Sequence, residues 1–136
     1  MFEILEHTAD VGFRARGDSI GDLFANAALA LEAIAADISG VEEKAMRPLS
    51  AAGEGLDELL VNWLNEVLYY LDGERFVMKR FEIDELVPSR VSGRGWGEPR
   101  DDGRHPPRLV VKGVTYHLLE VRRDGGLWHA RVILDI

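Results

Sequence analysis

The stretch from Leu56 to Leu71 constrains this chain more than any other. Leu56, Leu59, Leu60, Trp63, Leu64, Val67, Leu68 and Leu71 recur at the i, i+3, i+4, i+7 spacing that lays one broad apolar face along an α-helix. Such a helix draws its stability from burying that face, so the rest of the chain must supply a surface to cover it. Asp57 and Glu58 fall in its first turn, where the positive end of the helix dipole favours acids, and Asp72-Gly73 stops it. The leucine and aromatic stripe reads as core rather than as a cofactor box.

An earlier helix is expected from about Ile20 to Ala36, with Leu23, Ala27, Leu31 and Ile34 at helical spacing. Ser19 stands at its N-cap position with Asp22 three residues on, and the Gly40 region ends it. Elsewhere the period is two. Val11 to Gly17 alternates apolar and polar residues and reads as a half-buried strand; a short strand is expected near Met46 to Ala51. After Phe76, Phe81 to Leu86 and Val91 to Trp96 read as strands, and the turn formers of Gly97 to Pro107 read as a loop. Leu109 to Val121 and Leu127 to Ile136 follow, joined by Asp124-Gly125-Gly126, a hairpin signal. This order predicts an α+β fold: two helices packed on one face of a largely antiparallel mixed sheet, as a single domain over residues 1–136.

Composition narrows the function classes. With 136 residues, 46% of them hydrophobic, the chain is long and apolar enough for a core without staples. It has no cysteine, which excludes disulfides, thiolate metal sites and a thiol nucleophile. The formal net charge of −8 disfavours general nucleic-acid binding, since phosphates are held chiefly by Lys and Arg. It suits metal cations or a basic protein partner. The N-terminal residues lack a secretory pattern and no apolar run approaches the ~20 residues of a membrane span, so a cytoplasmic protein is expected.

The usual catalytic signatures are missing. There is no phosphate-binding Gly-x4-Gly-Lys-Ser/Thr loop, no Gly-x-Ser-x-Gly elbow and no His-Glu-x-x-His pair. Polar residues do stand out at two places. His7-Thr8-Ala9-Asp10 precedes the first strand and, on pattern alone, reads as a turn in which Thr8 and Asp10 satisfy nearby backbone N–H groups. Asp135 follows the apolar run Val132-Ile133-Leu134 and reads as a solvated strand end, on a strand that must be tied down to stay ordered.

Those same residues carry a resemblance. H-T-A-D-V-G at 7–12, L-L-V-N-W-L-N-E-V-L at 59–68, G-E-P at 97–99 with R-H at 104–105, V-K-G-V-T-Y-H at 111–117 and A-R-V-I-L-D-I at 130–136 together resemble the archease family, in order and through almost the whole chain. Two local departures are Gly113, where the family string has alanine, and the variable Asp101-Asp102-Gly103. The resemblance implies a non-enzymatic activator of the RtcB-type RNA ligase of tRNA splicing and RNA repair, promoting guanylylation from GTP and multiple turnover. It also implies a divalent-metal site with Asp10 and Asp135 as ligands, His7 nearby and the terminal carboxylate of Ile136 contributing. Lys112 matches a functional lysine of the family. Carboxylate oxygens are hard ligands suited to Ca²⁺, Mg²⁺ or Mn²⁺, and a cation relieves their mutual repulsion. Without the resemblance, Lys112 reads as a salt-bridge partner. Rival functions are a general chaperone or adaptor for RNA-processing enzymes and a metal-dependent hydrolase; the absence of a candidate base counts against the hydrolase.

Overall fold

The computed structural model describes residues 10–136. In chain order they form β1 (Asp10–Gly17), α1 (Ile20–Ala35), β2 (Ala45–Ala52), α2 (Leu56–Leu68), β3 (Phe76–Val87), β4 (Arg90–Pro99), β5 (Gly113–Val114), β6 (Glu120–Asp124) and β7 (Leu127–Asp135). Ser19 caps α1 as its position predicts: its Oγ accepts the backbone N–H of Asp22 at 3.0 Å. Past Leu68, α2 widens into a π-helical turn, Tyr69–Gly73, before the chain reverses into β3.

The α+β class expected from the sequence holds, but the strands divide between two sheets. One runs β1-β7-β5, with β6 also paired to β7; the other runs β2-β4-β3, and every strand pair described is antiparallel. Helix α1 packs on both, against β1 of the first sheet and β3 of the second, while α2 lies on β2 and on α1. The core is therefore common to both sheets. Trp63 of α2 is fully buried and its indole N–H donates to the Phe24 carbonyl of α1 at 3.0 Å, so the largest buried side chain leaves no polar atom unmet. The leucine stripe of α2 is core, as its spacing predicts: Leu59, Leu60, Leu64 and Leu71 are buried.

Two expected boundaries moved. The continuous strand anticipated over residues 109–121 is broken. Val114 lies opposite Leu134 and Glu120 opposite Arg131, so two residues of β7 face the five of 115–119, which must loop out. Leu118 turns this loop in the left-handed region at φ 51°. At the other boundary, β4 continues through Gly97, Glu98 and Pro99, opposite Met78, Val77 and Phe76, where a loop was expected. Glycine permits that pairing, because a Cβ on Gly97 would fall 1.8 Å from the Val77 carbonyl oxygen. The β6–β7 hairpin is the one its sequence signals: Gly125 and Gly126 sit at φ 61° and 83°, as a two-residue turn of the primed type requires.

Candidate functional site

Strand alternation decides which side chains share a face. On β1, Ala15 and Gly17 are buried and Val11 and Phe13 half-buried, while Asp10, Gly12, Arg14 and Arg16 are exposed. On β7, Ala130, Val132 and Leu134 are buried, leaving His129, Arg131, Ile133 and Asp135 on the other face. The two strands pair with Asp10 directly opposite Asp135. Residues so placed project to the same side with Cβ atoms roughly 5 Å apart. Two aspartates 125 positions apart in sequence thus meet on the outer face of one sheet.

Lys112 reaches the same place through its backbone. Its N–H donates to the Asp135 carbonyl at 2.7 Å, and Gly113 is the register partner of Asp135. The rest of the Val-Thr-Tyr-His string is fastened one step further along β7: the N–H and Oγ of Thr115 both donate to the Ile133 carbonyl, at 3.1 and 2.9 Å. Ile136 is half-buried against the core, whereas the Lys112 side chain is exposed. His7 lies outside the described residues.

Asp10 and Asp135 are like charges on facing positions, an arrangement that destabilises a strand pair unless something intervenes. Among the described residues, neither carboxylate has an ion-pair partner. Two facing carboxylates supply hard, anionic oxygens of the kind that Mg²⁺, Ca²⁺ and Mn²⁺ take. They are only part of a coordination shell, for among the described residues no three His, Asp or Glu side chains come together as a metal cage. The pair fits a cation whose remaining positions are filled from elsewhere.

Two groups of charged residues escaped the sequence reading. Glu98, at the end of β4, is 2% exposed and accepts from the Arg104 guanidinium and from the backbone N–H of Glu42. His105 is fully buried beside it; its Nδ1 accepts the Asp101 N–H at 3.0 Å, which leaves the proton on Nε2, 3.3 Å from the Glu98 carboxylate. These donors, Arg104 first, hold the Glu98 pKa down at about 2. They join the G-E-P and R-H strings into one clasp that closes the turn at 101–104. Glu32 is the second. It sits four residues after Ala28 on the buried face of α1, fully buried, and accepts the Met78 N–H at 2.6 Å through Oε1, while Oε2 has no partner among the described residues. Burial raises its pKa to about 8 against the opposing pull of the Met78 N–H and Arg100. Its signal in the sequence was an acid on an otherwise apolar helical face.

The family described as Archease protein family (MTH1598/TM1083) matches residues 2–136. Protein archease of Sulfurisphaera tokodaii is 38% identical over 99% of this chain and 98% of its own length. That of Methanopyrus kandleri is 38% identical over 99% of each chain. Among solved structures, the solution structure of Methanobacterium thermoautotrophicum protein 1598 superposes with a TM-score of 0.80 at 37% identity, covering 97% of this chain and 96% of the other. The crystal structure of an archease, a possible chaperone, from Thermotoga maritima superposes with a TM-score of 0.68 at 21% identity, covering 100% and 98%. At that identity the second likeness speaks for the fold alone. No helix among the described residues is long and apolar enough to cross a membrane.

Proposed function

Because the chain belongs to the archease family, we propose that it is a non-catalytic protein that activates an RtcB-type RNA ligase, promoting the ligase's guanylylation and repeated turnover in tRNA splicing and RNA repair. The observation that carries this reading is the register of β1 on β7, which sets Asp10 against Asp135 with Lys112 bonded to the Asp135 backbone. Three separate motifs of the chain converge there, on an exposed sheet face rather than in an enclosed pocket. Such a face suits presentation to a partner.

In this reading Asp10 and Asp135 hold a divalent cation, Ca²⁺, Mg²⁺ or Mn²⁺, with the carboxylate of Ile136 and the imidazole of His7 as further donors. The cation supplies charge neutralisation where this protein meets the ligase. Lys112, exposed and anchored by its backbone, offers an ammonium group to the partner. The net charge of −8 suits a basic surface on a nucleic-acid enzyme and speeds encounter with it. RNA is then held by the ligase, not by this chain.

The test is multiple-turnover RNA ligation by the cognate ligase with substoichiometric amounts of this protein. Guanylylation and turnover should rise, while the protein alone neither joins RNA nor hydrolyses GTP. Stimulation only at stoichiometric amounts, or GTP hydrolysis by the pure protein, would overturn the reading. A second reading, a chaperone-like adaptor serving several RNA-processing enzymes, is favoured by one observation. Tyr116 and Leu118 in the loop at 115–119, and Leu109 and Val110 on the segment before β5, are large apolar side chains left exposed, Val110 at 72%. An adaptor would protect unrelated RNA-processing enzymes from aggregation as well as it stimulates the ligase.

A further inference from the structure

The outer face of the β1-β7-β6 sheet carries a second constellation, separate from the facing aspartates. Arg14 on β1 lies directly opposite Arg131 on β7, which in turn lies opposite Glu120 on β6. In the next outward row, Arg16 lies opposite His129, and His129 opposite Arg122. These six residues line a hollow of about 670 Å³, within the size range of small-ligand sites. In a chain of net charge −8, four arginines and one glutamate converge on a single concave face. Like charges set directly across a strand pair destabilise it, so Arg14 facing Arg131 is not there for the sheet's benefit.

We propose that this hollow is a binding site for a small phosphate-bearing ligand, gripped by Arg14, Arg16, Arg122 and Arg131. The site is independent of the ligase reading and of the aspartate pair. Two of its arginines are fixed in advance. Arg131 donates from Nε to the Leu118 carbonyl at 2.9 Å and lies 3.3 Å from Glu120, and Arg122 is tied to Glu120 and, at 2.9 Å, to Asp124. Leu118 turns that carbonyl from the left-handed region at φ 51°, a conformation a bulky residue adopts only when its surroundings hold it there. Each guanidinium has five N–H donors, so both keep donors for a ligand. Arg14 and Arg16 are exposed and, among the described residues, bonded to no acid, so they are able to close over what the other two hold. Phosphate matches this set better than carboxylate does. A phosphate monoester brings nearly two charges and three acceptor oxygens, against one charge and two oxygens, and a guanidinium engages it through paired N–H donors.

The experiment titrates the full chain with inorganic pyrophosphate, following arginine Nε–H resonances by NMR and affinity by calorimetry. Saturable binding that shifts Arg14, Arg16, Arg122 and Arg131 is expected. The Arg14→Gln/Arg131→Gln variant should lose affinity by about tenfold or more, the loss of two charge-assisted contacts. Arg80→Gln, on the other sheet, should bind as the parent does. Pyrophosphate should raise the melting temperature of the parent and not of the double variant, which checks that the variant folds and that the site is lost. Parallel titrations with a nucleoside triphosphate and a sugar phosphate name the source: whichever binds tighter through these arginines supplies the phosphate. Undiminished binding in the double variant, no saturable shift, or equally good competition by triglutamate would each overturn the proposal.

Discussion

Removing the ionisable group from position 32 should abolish a specific pH dependence of stability. Glu32 is fully buried with a folded pKa raised to about 8 from 4.5, chiefly by desolvation. The folded protein therefore keeps a proton there that the unfolded chain gives up above pH 4.5. Its contribution to stability is complete below pH 4.5 and is lost as the pH rises toward 8, because unfolding then releases a proton. Each pH unit inside that window removes about 1.4 kcal/mol, so between pH 5 and pH 7 the native state loses roughly 2–3 kcal/mol through this one group. Against the 5–15 kcal/mol typical of a folded domain, such a slope is measurable. Glu32→Gln keeps a carbonyl oxygen for the Met78 N–H and cannot ionise. Urea unfolding of parent and variant at pH 5, 6 and 7 gives the difference directly, since every other titrating group cancels. The parent should lose stability relative to the variant by that amount as the pH rises. Parallel lines would refute the reasoning, by showing that Glu32 is solvated or already ionised in the native state.

Asp10→Ala and Asp135→Ala should each abolish ligase stimulation while leaving the apo melting temperature unchanged or higher, because each removes one of two facing negative charges; unfolding of both variants would make the pair structural. Lys112→Ala should impair stimulation and leave divalent-metal affinity intact, since the backbone bond to Asp135 does not depend on its side chain. Glu98→Gln should destabilise the protein at neutral pH. The parent's advantage should be present above pH 4.5 and fade as the pH falls toward about 2, the sign expected of a carboxylate whose folded pKa is lowered by Arg104 and its neighbours. Thermal melts of both proteins across that range check it.

The elements themselves were legible because they are written in local periods. The stripe from Leu56 to Leu71 and the cap at Ser19 needed only the neighbours three and four residues away, and the Gly125-Gly126 turn needed only its own two residues. Asp10, Lys112 and Asp135 stood out through the resemblance of their motifs, while pattern alone reads Asp10 as a turn residue and Asp135 as a strand end. Glu32 was missed: its one local signal is an acid on an apolar helical face, and its partner could not be read because Met78 lies 46 residues on.

What this sequence determined alone is therefore the two helices with the face each buries, the capped start of α1 and the β6–β7 turn, while strand limits at 97–99 and 115–119 were not readable from local pattern. Partnership across the chain was left to the tertiary structure. Alternation along β1 says that Asp10, Arg14 and Arg16 share a side, but only the register against β7 says that Asp135, Arg131 and His129 are what they face. The same holds for the division into two sheets and for the loop at 115–119, which exists because β5 and β6 pair with successive stretches of β7 at offset registers. Side-chain period is a property of neighbouring backbone angles; register is settled by which alignment buries Val11 on Leu134 and Phe13 on Val132, and a slip of one residue would turn every one of those side chains to water. The charged rows on the outer face are carried into place by that apolar choice on the inner one.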